Sequence, residues 1–161
     1  MTVGAQILQD LRGAWILRRD IRPGVAHLHG DAVFSPAGEG ALAYRESGIL
    51  TLADGGEFSS YRQYLYRSSG DCVVVEFADG PDIGKQFLSL RFSRTDSGLE
   101  ASDVHICGGD TYHATYSILG PTAFAVIITV QGPAEAYELV SRYCRPPRDA
   151  TIASSAPEIM S

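Results

Sequence analysis

The sequence has little cysteine. The three cysteines among 161 residues, Cys72, Cys107 and Cys144, lie far apart, and no Cys-x-x-Cys pair occurs. A disulfide framework in a secreted chain needs an even number of cysteines. The first residues, MTVGAQILQDLRGAW, also lack the basic region followed by an apolar region that marks a signal peptide. These absences favour a protein of the reducing cytoplasm.

Long apolar runs and an excess of basic charge are also absent. The longest apolar run, TAFAVIITV, is much shorter than the ~20 residues that a membrane-spanning helix needs. The formal net charge is −6, whereas nucleic acids and anionic membranes attract clusters of lysine and arginine. We therefore expect neither a nucleic acid nor a membrane as partner.

Common nucleotide and hydrolase motifs are missing as well. None of GxxxxGK[ST], GxSxG or HExxH occurs. The segments GEGAL and GGDT are rich in glycine but precede no predicted helix, whereas a phosphate loop needs the amides of a helix N-terminus. We expect no cofactor.

Glycine and tyrosine are plentiful, with 17 and 8 residues. Glycine-rich turns and many aromatics favour an all-β chain of short strands, and the length suggests one domain. Near the N-terminus, AQILQDLR at 5–12 places Ile7, Leu8 and Leu11 at helical spacing, and Gly13 ends this predicted helix.

About ten strands are predicted after the helix. Short turns rich in Gly, Pro and Asp separate them, so each strand is expected to pair antiparallel with the next. Alternation supports this, because Tyr112, Ala114, Tyr116 and Ile118 share one face. The predicted strands are 14–22, 27–35, 41–52, 57–67, 71–78, 85–93, 98–106, 110–118, 122–131 and 135–144.

These strands must hide their edges, and closing into a barrel does so completely. We predict an all-β, antiparallel up-and-down barrel with a short N-terminal helix, formed by residues 1–145. A two-sheet sandwich is the alternative, but its connections are less uniformly short. Residues 146–161, rich in Pro, Ser and Ala, are expected to form a flexible tail.

The triplet Gly13-Ala14-Trp15 resembles the Gly-x-Trp signature of the calycin superfamily, which includes lipocalins and fatty-acid-binding proteins. In that superfamily the Trp plugs the closed end of the barrel and an Arg from the last strand packs across it. The resemblance implies the same role for Trp15. Arg142 is our assignment for the arginine, with Arg145 as the alternative.

A longer stretch, from about Leu11 to Arg145, resembles a family of small bacterial and fungal proteins, domain of unknown function 6314. Matching pieces include GAWILRRDI, YRQYLYR, HICGGDTYHATY and YELVSRYCR. The family pattern implies a shared motif of His105, Cys107, Asp110, Tyr112 and Tyr116. The family also carries a Phe-His pair where this sequence has Phe87-Leu88. The resemblance implies a calycin-like fold and a motif, but no reaction.

The motif raises several chemical possibilities. His105, Cys107, Asp110 and His113 suggest zinc, but the spacing fits no known zinc site and His113 falls on the opposite strand face, so we expect no metal. Cys107 with His105 could form a nucleophile–base pair, yet residues i and i+2 are about 7 Å apart along a strand, and a small buried cysteine is favoured. Asp110 fits an Asx turn, with orientation of His105 or a ligand as the alternative.

The tyrosines suggest a ligand cavity. Tyr64 shares a strand face with Arg62 and Tyr66, while Tyr61 lies on the other face. A barrel interior with tyrosine, histidine and arginine beside aliphatic side chains suits an amphipathic ligand. The alternative is a filled barrel with internally bonded hydroxyls.

We therefore predict a barrel that binds a small, apolar or amphipathic molecule. The predicted contacts are His105, Tyr112, Tyr116, Tyr64, Arg62 and Asp110, while Gly13, Trp15 and Arg142 are structural. One alternative is an enzyme with His105 as general acid or base and Asp110 orienting it. Another is a solid barrel whose partner binds outside. A homodimer stays an open alternative.

Overall fold

The computed structural model describes residues 1–147. Helix α1, Val3–Leu11, begins after Thr2, whose hydroxyl accepts a hydrogen bond of 3.1 Å from the Ala5 amide. It therefore starts two residues before the predicted segment 5–12. Within the described residues no helix has the length and apolar character needed to cross a membrane.

Eleven strands follow the helix, and the all-β prediction is confirmed. Their bounds are β1 Gly13–Arg22, β2 Ala26–Pro36, β3 Ala41–Thr51, β4 Glu57–Ser69, β5 Cys72–Phe77, β6 Gln86–Arg91, β7 Ser93–Thr95, β8 Gly98–Cys107, β9 Asp110–Gly120, β10 Ala123–Gln131 and β11 Ala136–Cys144. The predicted strand 85–93 is interrupted at Phe92, and this break creates the three-residue β7. The count exceeds the predicted ten for that reason.

The strands form one antiparallel meander that curls into a nearly closed barrel. The spatial order is β6-β5-β4-β3-β2-β1-β11-β10-β9-β8-β7, so the first and last strands pair, with Ile16 opposite Cys144. A seam remains between β6 and β8, which share no strand ladder. Among residues 1–147 one side-chain hydrogen bond crosses this seam: the Asp103 carboxylate accepts from the Ser89 amide at 2.7 Å.

Helix α1 covers one end of the barrel, here called the helix end. Its Ile7, Leu8 and Leu11 are buried, and Trp15, 2% exposed, packs beneath them. The Trp15 indole N–H donates to the Leu11 carbonyl at 2.8 Å. The indole and the helix side chains therefore fill this end.

The arginine over the indole is Arg145, which corrects the assignment to Arg142. The Arg145 guanidinium lies 3.8 Å from the ring centroid and donates to the carbonyls of Asp10, Arg12 and Ala14. Arg142 points outward and pairs with Asp20 at 3.3 Å. The strand alternation explains the difference, because Arg142 lies on the outer face of β11 and Arg145 lies beyond its end. The predicted tail 146–161 lies, from residue 148 onwards, outside the described residues.

Candidate functional site

The opposite end of the barrel, here called the open end, holds a cavity of about 290 Å³. Strands β4, β5, β6, β8, β9, β10 and β11 and the loop at 78–85 surround it. The lining residues are Arg62, Tyr64, Phe77, Asp79, Gly80, Pro81, Asp82, Phe87, His105, Cys107, Tyr112, Ile128, Tyr137 and Leu139. This cavity is the candidate functional site.

Aromatic rings form one wall of the cavity, and Phe87 is at their centre. Its ring stacks on Tyr64 at 5.8 Å between centroids and lies 4.9 Å from Phe77. The His105 imidazole meets Phe87 edge-to-face at 5.3 Å, and Tyr112 does so at 6.1 Å. A flat apolar ligand would find faces and edges of rings here.

Arg62 lies at the inner end of the cavity, on the same inward strand face as Tyr64 and Tyr66. Tyr61 points outward and is 53% exposed, as the predicted alternation of β4 requires. Burial opposes the charge of the Arg62 guanidinium, but the neighbouring Tyr64 and Glu46 favour it, and the net effect raises the pKa of Arg62. The guanidinium therefore stays charged inside the barrel.

A buried ion pair lies below Arg62. The Arg19 guanidinium donates to both oxygens of the Glu46 carboxylate, at 2.7 and 2.9 Å, and to the Ser141 hydroxyl at 2.7 Å. The Tyr44 hydroxyl donates to Glu46 at 2.6 Å. Arg19 and Glu46 are 7% and 2% exposed, so this two-pronged pair is shielded from solvent.

Tyrosines fill the interior between this ion pair and the helix end. The hydroxyls of Tyr66 and Tyr116 are 2.7 Å apart, as are those of Tyr44 and Tyr143. Burial raises the pKa of Tyr143 to about 12 and that of Tyr116 further still. The space left among these groups is about 20 Å³, roughly one water, so this half of the barrel is filled.

The predicted contacts separate into two groups. His105, Tyr112, Tyr64 and Arg62 all line the cavity. Tyr116 lies deeper, among the buried tyrosines, and outside the lining of the main cavity.

Asp110 also lies outside that lining. It is the first residue of β9 and lies opposite Cys107 in the register. A carboxylate oxygen of Asp110 closely approaches Gly132, where an added Cβ atom would lie 1.9 Å from it. The start of β9 therefore lies against the turn between β10 and β11.

The cysteine and histidines of the motif take different positions. Cys107 is exposed at the cavity rim, which corrects the expectation that it would be buried. His113 is exposed on the outer face of β9. Residues 1–147 bring together no group of three or more side chains suited to hold a metal.

Sequence reasoning missed the buried pair of Arg19 and Glu46 and the central role of Phe87. Leu42, Tyr44 and Glu46 follow one another at every second position of β3 and therefore share its inward face. This pattern was the available signal for a buried carboxylate. Because glutamate is a charged residue, its type alone did not predict that Glu46 lies on the apolar inward face of β3.

The fold and this cavity define a class, a small antiparallel β-barrel with one filled end and one open, aromatic-lined end. The model of the family of unknown function DUF6314 matches residues 11–145. The chain therefore belongs to this family, as the sequence resemblance implied. No curated protein matches the sequence.

Solved structures share the fold at low sequence identity. An S-type phycobiliprotein lyase, CPES from Guillardia theta, aligns with a TM-score of 0.63 at 9% identity, covering 91% of this chain and 94% of that one. A protein of unknown function of the DUF3598 family from Nostoc punctiforme aligns with a TM-score of 0.54 at 14% identity, covering 86% of this chain and 49% of that one. EF1p2_mFAP2b bound to DFHBI aligns with a TM-score of 0.49 at 14% identity, covering 91% and 100%.

Proposed function

We propose that this protein binds a small, partly apolar molecule in the cavity at the open end. The observation that carries the proposal is a cavity of about 290 Å³ with rings on its wall and one charged guanidinium at its inner end. Small-molecule sites are typically concave and mostly apolar, with few polar groups that fix the ligand's orientation. The aromatic wall around Phe87 supplies the apolar surface, and Arg62 supplies a polar group that can fix the ligand's orientation.

Two further features support a binding function over the alternatives. A solid barrel would leave no space at the open end, whereas the filling of this barrel stops at Arg62 and Tyr64. The enzyme alternative has less support, because Asp110, the residue expected to orient His105, does not line the cavity. The fold shared with CPES is compatible with binding but names no ligand for this chain.

We also propose that the barrel is of calycin type and acts in the cytoplasm. The packing of Arg145 across Trp15 supports the first proposal, since it reproduces the arrangement implied by the Gly-x-Trp resemblance. The free thiols of Cys72, Cys107 and Cys144 support the second. Fractionation of the native host, with immunodetection of the protein, tests the location.

Native mass spectrometry of the protein purified from its own host tests the binding proposal. We expect an additional mass that disappears after extraction with organic solvent. The variant Ile128→Trp, which places an indole in the cavity, is expected to lose this mass because the ligand and the indole compete for the same volume.

The matched control is Ile127→Trp on the same strand, because Ile127 is 40% exposed on the outer face. It should retain the ligand, and circular dichroism should show both variants folded. A wild-type protein without a bound mass, and with no affinity for any added small apolar compound, would contradict the proposed function.

A further inference from the structure

The inner end of the cavity carries an excess positive charge. Three charged side chains line this region and the space below it, namely Arg19, Glu46 and Arg62. The Glu46 carboxylate is engaged on both oxygens by Arg19 and also accepts from Tyr44. Two cations therefore share one anion, and that anion is already committed to Arg19.

Arg62 is the cation that remains. No carboxylate of the described residues lies within 4 Å of its guanidinium, whereas Arg19 has Glu46 at 2.7 Å. Arg62 contacts the Tyr64 hydroxyl, a neutral partner. Of the ion pair below it, Glu46 favours the charged form of Arg62 and Arg19 opposes it. The Arg62 guanidinium keeps its charge at the inner end of the cavity with no carboxylate of the described chain bound directly to it, and an anion that reached it would accept charge-assisted hydrogen bonds from it.

The carboxylates at the cavity do not fill this role. Asp79 accepts a hydrogen bond of 2.7 Å from the Gln63 amide, and Asp82 pairs with Lys85 at 3.3 Å. Both belong to the loop at the rim, between β5 and β6. The charge along the cavity therefore changes from acidic at the rim to basic at the inner end.

We propose that the ligand is a small organic anion with a flat apolar body, and that its acidic group pairs with Arg62 while its body lies against Phe87 and Tyr64. This inference rests on the proposed function and deepens it. The chemical class is an aromatic or unsaturated acid, whose carboxylate accepts two parallel hydrogen bonds from a guanidinium. The aromatic wall, with Tyr64 stacked on Phe87, offers ring faces and edges to such a body.

Three probes with the same naphthalene body and polar groups of similar size test the charge preference: 2-naphthoate, the neutral 2-naphthamide and the cationic 2-naphthylmethylammonium. Isothermal titration against the full chain measures each affinity at neutral pH. We expect the carboxylate to bind about tenfold to a hundredfold more tightly than the amide, the range of a hydrogen-bonded charge pair. This comparison uses only the wild-type protein and does not depend on the folding of a variant.

Variants then locate the effect. Arg62→Met should lower the affinity for 2-naphthoate to that for 2-naphthamide and leave the affinity for 2-naphthamide unchanged. Arg62→Lys should restore part of the preference for the carboxylate over the amide. The matched control is Arg45→Met on the neighbouring strand, because Arg45 lies outside the barrel over the Tyr61 ring. It should leave all three affinities unchanged.

Each other outcome overturns the inference. Equal affinities for acid and amide would show that the cavity binds ligands without a preference for anions. The proposed function would then remain valid, and the inference about an anionic ligand would be wrong. Tightest binding of the ammonium probe would transfer the electrostatic role to Asp79 and Asp82. Absence of binding by all three probes would also overturn it, and native mass spectrometry would then decide separately whether the cavity holds another kind of ligand.

Discussion

At the scale of single residues, Glu46 is the group on which the charged interior depends. Its carboxylate accepts hydrogen bonds from Arg19 and Tyr44, and these partners are themselves buried. Burial raises the pKa of Glu46, but the hydrogen bonds and charge of Arg19 outweigh it, so the pKa lies below the ordinary value of 4.5.

Removing the Glu46 charge should destabilise the barrel strongly. Glu46→Gln leaves the Arg19 guanidinium buried without a counter-charge, and breaking a buried pair in this way typically costs about 3–5 kcal/mol. Urea unfolding followed by Trp15 fluorescence measures the change. The same substitution at Glu76, in the more exposed pair with Arg67, should cost under about 1 kcal/mol. Equal losses at both positions would contradict the argument.

The pair of Arg19 and Glu46 should also make the stability of the barrel depend on pH in the acidic range. Because the folded-state pKa of Glu46 is lowered, its contribution is complete above pH 4.5 and is lost as the pH falls through that lower pKa. Wild-type stability should therefore decline more steeply than that of Glu46→Gln below pH 4.5. Parallel curves for the two proteins would show that Glu46 is not the group responsible.

At the scale of elements, Arg145 joins the N-terminal helix to the end of the last strand. It donates to the carbonyls of Asp10 and Arg12 at the end of α1 and covers the Trp15 ring. A cation at a helix C-terminus also interacts favourably with the helix dipole. The helix has nine residues, a length at which isolated helices are marginal, so its docking contacts decide whether it forms.

Arg145→Met should loosen this helix. Loss of the charged hydrogen bonds and of the cation–π contact is expected to cost about 2–3 kcal/mol, since a methionine can still cover part of the indole. Denaturant unfolding measures the loss, and hydrogen exchange should report faster exchange in α1. Arg142→Met on the outer face of β11 is the matched control and should change stability by less than about 1 kcal/mol. A larger effect at Arg142 would refute the assignment.

At the scale of the whole molecule, the seam between β6 and β8 is where the barrel is incomplete. In the described part of the chain ten pairings join the eleven strands, and one side-chain hydrogen bond, from the Ser89 amide to Asp103, crosses the remaining gap. The residues beside the seam include Phe87 and His105, so the width of the seam bears directly on the shape of the cavity.

Asp103→Ala should open the seam locally. The Ser89 amide would lose its partner, and the expected loss is about 1–3 kcal/mol. Hydrogen exchange followed by mass spectrometry should show lower protection in β6, while β2, paired on both sides, keeps its protection. Ser102→Ala, which removes an outer-face hydrogen bond to Thr115, is the control and should leave β6 unchanged. Unaltered protection of β6 in Asp103→Ala would contradict a role for Asp103 in closure.

The sequence by itself determined the order of the strands, their antiparallel pairing and the inward faces of most of them. Period-two alternation and short turns are local properties, and so the alternation alone was enough to group Tyr64 with Tyr66 and to place Tyr116 on an apolar face. The motif also led to His105 and Tyr112, which line the cavity. The same reasoning placed Tyr61 and His113 on the opposite faces of their strands.

Only the tertiary structure decided which inward residues meet. Arg19 and Glu46 lie on strands that both flank β2, 27 residues apart in sequence, and no local pattern encodes their pairing. The choice of Arg145 over Arg142 depended on where β11 ends relative to Trp15. The cavity depended on the volumes of side chains from seven strands. These side chains fill the barrel around Tyr116 and leave open space beyond Arg62. Packing between distant segments is a property of the closed barrel, since closure alone brings these side chains into contact.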